Sequence, residues 1–465
     1  MVEFSIWDII LIVLYFITVL IIGFRTKTND KNKEDYLVAA RKITLPAFVA
    51  TLVSTFYGGI LGIGEFTYNY GLTSWFLNAF PYYFFVTIFA FFLAKKIRRT
   101  QLYTIPDKLE LAYGKKVSIF GSFLVFLLVT PAPYILMIAV ILQVIFGWNL
   151  IISMIITILF SSVYLIKGGL RADVRVNIFE FILMFLGFGI IIPFCFIKLG
   201  GFSYLSTNLP QTHLSITGGN SLQFIIVWFL IGSWALVDPS FHQRCYAAKS
   251  ESTAKKGVLI SLIFWFIFDF LTTTSGLYAA AHLKNLQDPK MSYPLLANDI
   301  LPPLAKGYFF VGMIATIMAT LNSNIFISAT TFGKDILSKF LKIDDKENKY
   351  SKISILITCI LSLIIAVLIP SVVQIWFTIG SLVIPALLLG VVTAYSDKLK
   401  ISNSGIFLAM LVSFFISLGS FILGYIYRNE SGNPVYFFGI EPMYPGLFAG
   451  ILFYFSFLIY KKIKK

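Results

Sequence analysis

Thirteen apolar stretches succeed one another along this chain, each long enough to cross a hydrocarbon core about 30 Å thick, which takes roughly 17 to 25 helical residues. They lie near 4–24, 45–66, 72–94, 117–146, 149–166, 176–199, 221–237, 258–282, 307–331, 353–374, 375–396, 404–427 and 443–460. Backbone N–H and C=O groups in lipid find no water, so each stretch must be a helix and the chain is expected to be an all-α polytopic membrane protein. Composition agrees. Of 465 residues 58% are hydrophobic and 13% charged, and the mean hydropathy of +0.85 exceeds what a soluble core requires. The connections are too short for an appended catalytic or sensory domain. The first stretch has Glu3 and Asp8 at its start, no basic n-region and no small-residue cleavage site before Arg25, so it is expected to be retained.

A net charge of +15 raises the possibility of a nucleic-acid partner, and the distribution of the charge argues against it. Of the 37 Lys and Arg residues, 32 fall in alternate connections and in the C-terminal tail: 25–42, 95–116, 167–175, 244–256, 334–352, 398–400 and 461–465. The other five are Lys198, Lys284, Lys290, Lys306 and Arg428. Basic residues accumulate on the cytoplasmic side for topological reasons, so the N-terminus is expected outside and the C-terminus inside, in a cell inner (plasma) membrane. Cys195, Cys245 and Cys359 show no CxxC spacing, and neither a disulfide framework nor a zinc site is suggested.

Two stretches read poorly as continuous helices. The second, LPAFVATLVSTFYGGILGIGEF, carries Gly58, Gly59, Gly62 and Gly64 behind Ser54 and Thr55, and the seventh carries Gly232-Ser233 and then Asp238-Pro239. Breaks are expected at Thr55–Gly59 and Leu230–Ala235, facing each other at mid-membrane. If the second stretch opens a ten-helix core, the seventh opens its second half. Five helices being an odd number, the halves have opposite orientations, and paired interrupted segments in inverted halves point to a midplane binding site. Close packing through GxxxG-like seams is the competing reading. In the ninth stretch Thr316, Ala319, Thr320 and Ser323 share one helical face, suited either to close helix approach or to offering oxygens to a cation. Intramembrane carboxylates cost at least about 2.5 kcal/mol each and need an account. Asp269 sits at mid-depth and is expected to face the bundle interior. Glu180 is expected to snorkel or pair with Arg175, and Glu65 to be solvated near the outer surface. All three are candidates for a proton or ion relay.

Several segments resemble the sodium:solute symporter family, which includes sodium/proline and sodium/galactose transporters: DYLVAARK at 35–42, TIPDKLELAYGKK at 104–116, GGLRADVRVNIFEF at 168–181, QRCYAAKSESTAKKG at 243–257 and ATIMATLNSNIFISATTFGKDIL at 315–337. The resemblance implies a LeuT-like inverted repeat of 5+5 helices within a single transporter domain. Residues 4–24 form an extra N-terminal helix, 45–199 the first repeat, 221–396 the second and 404–460 two extra C-terminal helices. It also implies a sodium site using backbone carbonyls at Ser54, Tyr57 and Thr316 and side chains at 319 and 320. Here the family's hydroxyl pair reads Ala319-Thr320, so one hydroxyl ligand is absent. The family's Thr-Asp in the GGL segment reads Val176-Asn177, which removes a carboxylate near the inward route of the ion. A solute pocket is expected from Phe56, Tyr57, Gly58 and Gly59 on one side and Ser233 and Trp234 on the other.

The leading expectation is cation-coupled, sodium-driven symport of a small polar solute by alternating access, with no catalytic residue, no cofactor beyond the coupling ion and no obligate protein partner. Proton coupling through Asp269 is the first alternative, and a transporter-like sensor working with a separate partner is the second. A lipid-modifying metalloenzyme would have to use an acidic pair such as Asp344-Asp345, within a lysine-rich hydrophilic stretch.

Overall fold

Each apolar stretch is helical in the computed structural model, which describes residues 2–29, 32–341, 347–369, 371–429 and 434–463. Asp344-Asp345 lies outside the described residues. Among them, eleven helical stretches are long and apolar enough to cross a membrane, and the bent pair Leu45–Phe56 and Ile60–Tyr70, which meet at 57°, makes a twelfth crossing.

The difference from thirteen arises in one place. Leu150–Lys198 is hydrogen-bonded as one helix of 49 residues, which if straight would run about 70 Å, more than twice the hydrocarbon core. It is not straight. Gly169 has φ 54° and ψ −151°, a backbone that side chains disfavour, and a Cβ there would press on the main chain of Tyr36. Tyr15 and Phe16, neighbours on the first helix (Ile6–Arg25), pack on Phe179 at 6.3 Å and Phe160 at 4.8 Å respectively. A straight helix would hold Phe160 and Phe179 roughly 28 Å apart. The chain therefore folds back at Gly169, and the basic connection expected at 167–175 is a hinge inside a helical hairpin.

At the centre lies Ala305–Thr330, buried along all but Tyr308. The hairpin packs on it closely enough that a Cβ on Gly187 would come within 2.6 Å of the Gly312 Cα, so small-residue packing operates there. The first helix is pinned beside it. Ser5 and Asp8 form a capping box, and the Asp8 Oδ1 also accepts the N–H groups of Leu304 and Gly307 at 2.9 and 2.8 Å. Beyond Thr330 the helix continues with π geometry over Thr331–Ser338. Residues 334–341, expected to begin a solvated connection, are helical, and Lys334 is buried between Asp107 and Asp335.

Candidate functional site

The first break falls where the glycines placed it. Leu45–Phe56 ends before Tyr57, the three residues Tyr57, Gly58 and Gly59 are non-helical, and a new helix starts at Ile60. The last carbonyls of a helix lack intrahelical partners. Here the Val53 carbonyl accepts from the Trp265 indole N–H at 3.4 Å, and the Ser54 carbonyl accepts from the Thr320 hydroxyl at 3.4 Å. A Cβ at Gly58 would fall inside the Thr320 side chain. Bend and central helix thus touch at Ser54, Gly58 and Thr320. Ser54, Thr316, Ala319 and Thr320 are all buried, Tyr57 nearly so, and the Thr316 hydroxyl is spent on its own helix at the Gly312 carbonyl.

The second break opens inside its expected range: Leu222–Ile231 ends at Gly232, Gly232 and Ser233 form a tight turn with Ser233 N–H bonded to the Leu230 carbonyl, and a short helix resumes over Trp234–Val237. It extends further than expected, to Asp238, which is extended at φ −64° and ψ 117°. A residue preceding proline is pushed out of the helical region, and its carboxylate caps Pro239–Ala247 by accepting from the Ser240 and Phe241 N–H groups. A third interruption, at Val129–Pro131 between Lys115–Leu128 and Ala132–Phe146, had its signal in the Pro-Ala-Pro run at 131–133.

All three interruptions border one cavity of about 140 Å³. Thr55, Phe56, Tyr57 and Gly59 line it from the bend, Trp234 and Asp238 from the seventh stretch, and Val129 and Tyr134 from the third break. Of the expected pocket residues, Gly58 packs on Thr320 and Ser233 is buried, and neither lines the cavity. Thr320 does line it, so the contact with Ser54 and the cavity adjoin.

The three carboxylates separate. Asp269 lines the cavity and accepts from the Tyr83 hydroxyl. Glu180 lies behind the central helix, fully buried, and accepts from the Tyr15 hydroxyl at 2.8 Å, while Arg175 points outward, so the expected pairing with Arg175 is not made. Glu65 is half-buried rather than solvated.

Sequence reasoning missed a buried ionic network. The Arg244 guanidinium donates to Asp173 at 2.8 Å, to Ser323 at 2.7 Å and to Thr51 at 3.3 Å. Asn177 donates to Thr51 at 2.9 Å, and Arg244 and Asp173 are both fully buried. Thr51 and Ser323 lie one helical turn beyond Ser54 and Thr320 respectively, so the network sits directly beside their contact. Arg244 had been grouped with the topological charges of 244–256.

The model of the sodium:solute symporter family matches residues 36–413. The sodium/pantothenate symporter of Haemophilus influenzae is 27% identical over 95% of this chain and 93% of its own, and the sodium/glucose cotransporter of Vibrio parahaemolyticus is 25% identical over 74% and 70%. Among solved structures, a Na+-coupled sialic acid symporter in a substrate-bound outward-open state superposes with a TM-score of 0.81 at 16% identity, covering 98% of this chain and 99% of that one. That neighbour has the LeuT-like fold.

Proposed function

This chain belongs to the sodium:solute symporter family and is a multi-pass plasma-membrane transporter that couples movement of a small solute to sodium, and within that frame we propose which residues hold the ion and the solute. Sodium sits between the bend and the central helix, taking backbone carbonyls of Ser54, Tyr57, Thr316 and Ala319 and the hydroxyl of Thr320. One observation carries this assignment: the Thr320 hydroxyl already reaches the Ser54 carbonyl at 3.4 Å, so two proposed ligands from segments 266 positions apart converge. Hydroxyl and carbonyl oxygens are hard ligands suited to an alkali cation at interrupted helices. The solute occupies the adjoining cavity, where Thr320 borders both sites. Phe56, Tyr57, Gly59 and Trp234 line it, with Gly58 and Ser233 supporting its wall. One positive charge moving inward through about 100 mV supplies roughly 2.3 kcal/mol, enough for an approximately 50-fold solute gradient before the sodium gradient is added.

Thr320→Ala is expected to raise the sodium concentration for half-maximal uptake at least about tenfold, the loss of one cation ligand worth roughly 1.4 kcal/mol. Ala319→Ser, which adds an oxygen beside it, is expected to lower that concentration. Uptake of labelled solute into proteoliposomes across a sodium titration measures both. Unchanged sodium dependence in Thr320→Ala would remove the assignment.

The finer architecture belongs to the same proposal. Counting Leu150–Lys198 as two crossings that reverse at Gly169 gives thirteen spans, with inverted repeats at 45–199 and 221–396 and the N-terminus outside. The fold-back at Gly169 and the sidedness of the basic residues support it. Because Cys195, Cys245 and Cys359 are all buried, introduced thiols report against a quiet background. An impermeant thiol reagent added to intact cells is expected to label Thr207→Cys, and to reach Asp397→Cys only after permeabilisation. The opposite pattern would invert the topology.

A further inference from the structure

The charge balance of the cavity bears on what can enter it. Its lining includes the carboxylates of Asp238 and Asp269 and, among the described residues, no lysine, arginine or histidine. The two acids are not equivalent. Asp238 accepts three hydrogen bonds at its Oδ1, from the Ser240 and Phe241 N–H groups and the Ser240 hydroxyl, at the N-terminus of the helix it caps, so its charge is compensated even though no hydrogen bond among the described residues reaches its Oδ2. Asp269 is 7% exposed, and that small exposure belongs to a residue that borders the cavity. The Tyr83 hydroxyl donates to one of its oxygens, and no hydrogen bond among the described residues occupies the other. No ion pair among the described residues involves it. A charged carboxylate left in this state within the membrane is costly unless a proton or a bound cation compensates it.

The remaining walls are aromatic. Phe56 meets Tyr82 at 4.8 Å and Trp265 at 4.8 Å, inclined at 68° and 47°, and Tyr134 meets Trp376 at 6.4 Å and 50°. Rings set at such angles present faces and edges in several directions around one space. The ring faces that the protein's own Lys and Arg cover belong to Tyr36, Phe91, Tyr103 and Tyr395, none of which lines the cavity. Aromatic faces attract an organic cation through the ring quadrupole. An anionic solute would meet two carboxylates and no basic partner among the described lining residues.

Resting on the assignment of this cavity as the solute site, we propose that the transported solute carries an ammonium group, which pairs with the free oxygen of Asp269 inside the aromatic enclosure. Sodium remains at its separate oxygen site, so the carried charge is the sum of the two cations when the solute is a simple ammonium ion, and sodium's alone when it is zwitterionic.

The test is thermal unfolding of the purified full-length transporter in saturating sodium against four probes: choline, glycine betaine, the uncharged tert-butyl isostere of choline, and pyruvate. Ligands that bind the folded state raise its melting temperature. Choline, glycine betaine or both are expected to protect, the isostere and pyruvate are not, and Asp269→Asn is expected to weaken protection at least about tenfold in apparent affinity. Choline alone would identify a net cation, and betaine a zwitterion. Protection by pyruvate or the isostere, by neither ammonium probe, or by an ammonium probe undiminished in Asp269→Asn, overturns the inference. Ile63→Trp, which fills the cavity from its wall, separates the two levels, with sodium-induced stabilisation of that variant as the check on its folding. Pyruvate protection abolished by Ile63→Trp sinks the ammonium and keeps the cavity. Protection that survives Ile63→Trp places the solute elsewhere and sinks both.

Discussion

Replacing Gly58 with leucine is expected to abolish sodium-driven uptake while leaving the protein inserted and folded. The reason is local. A Cβ at Gly58 would overlap the Cβ and Oγ1 of Thr320, so the variant can fold only by moving the bend and the central helix apart. Overpacking of this kind costs about 1–3 kcal/mol, and a comparable loss taken wholly from sodium binding is roughly 5- to 150-fold in affinity. The larger effect is on coupling, because the same displacement separates the Ser54 carbonyl from the Thr320 hydroxyl. Gly419→Leu is the matched control, since nothing lies within 4 Å of a Cβ there. Surface expression, size-exclusion profile and uptake are compared for both variants. Normal uptake by Gly58→Leu would reduce the glycine at the bend to a packing device, the role that Gly187 and Gly312 do fill elsewhere.

The bend was legible because four glycines behind two hydroxyl residues have no better use in a membrane helix. Less legible was that both signals in the seventh stretch act. Gly232-Ser233 interrupts the helix only as a tight turn that keeps helical dihedrals, whereas Asp238 is forced out by Pro239 and held by the cap it makes. Proline rules would have found the second of these interruptions, and Val129–Pro131 as well. The family-like segments were legible as strings, but their physical work was not. Arg41 of DYLVAARK donates to carbonyls of Leu102 and Tyr246, and Lys334 of the ninth-stretch segment pairs with Asp107 of TIPDKLELAYGKK. Arg244 of QRCYAAKS reaches Asp173 of GGLRADVRVN. Apart from Thr316, Ala319 and Thr320 of the ninth-stretch segment, which belong to the proposed sodium site, these residues clamp the segments to one another beside it. Hydropathy assigns every Lys and Arg in a connection to water, and only the tertiary arrangement reveals that Arg244 and Lys334 are buried.

Breaking the Arg244–Asp173 pair is expected to cost more stability than any substitution at the cavity. Both side chains are fully excluded from solvent, so Asp173→Ala leaves a guanidinium with hydroxyls and the Gln243 amide oxygen as its hydrogen-bond partners and no carboxylate in contact with it among the described residues. Removing one partner of a buried ion pair typically costs about 3–5 kcal/mol, whereas replacing both with apolar groups of similar volume is often neutral. The single variants Asp173→Ala and Arg244→Met are therefore expected to unfold at markedly lower temperature, and Asp173→Leu combined with Arg244→Met to recover most of the loss. The positions also bear on function. Asn177 stands where the family's pattern carries a carboxylate, and Asp173 supplies one a helical turn earlier on the same helix. Its charge is held by Arg244 next to the Ser54–Thr320 contact, so a sodium ion bound there as proposed would, on leaving, meet a neutralised pair rather than a free acid. The double variant should then keep sodium affinity close to that of the unaltered protein despite losing both charges. A double variant that recovers stability but loses sodium dependence would show instead that Asp173 itself handles the ion.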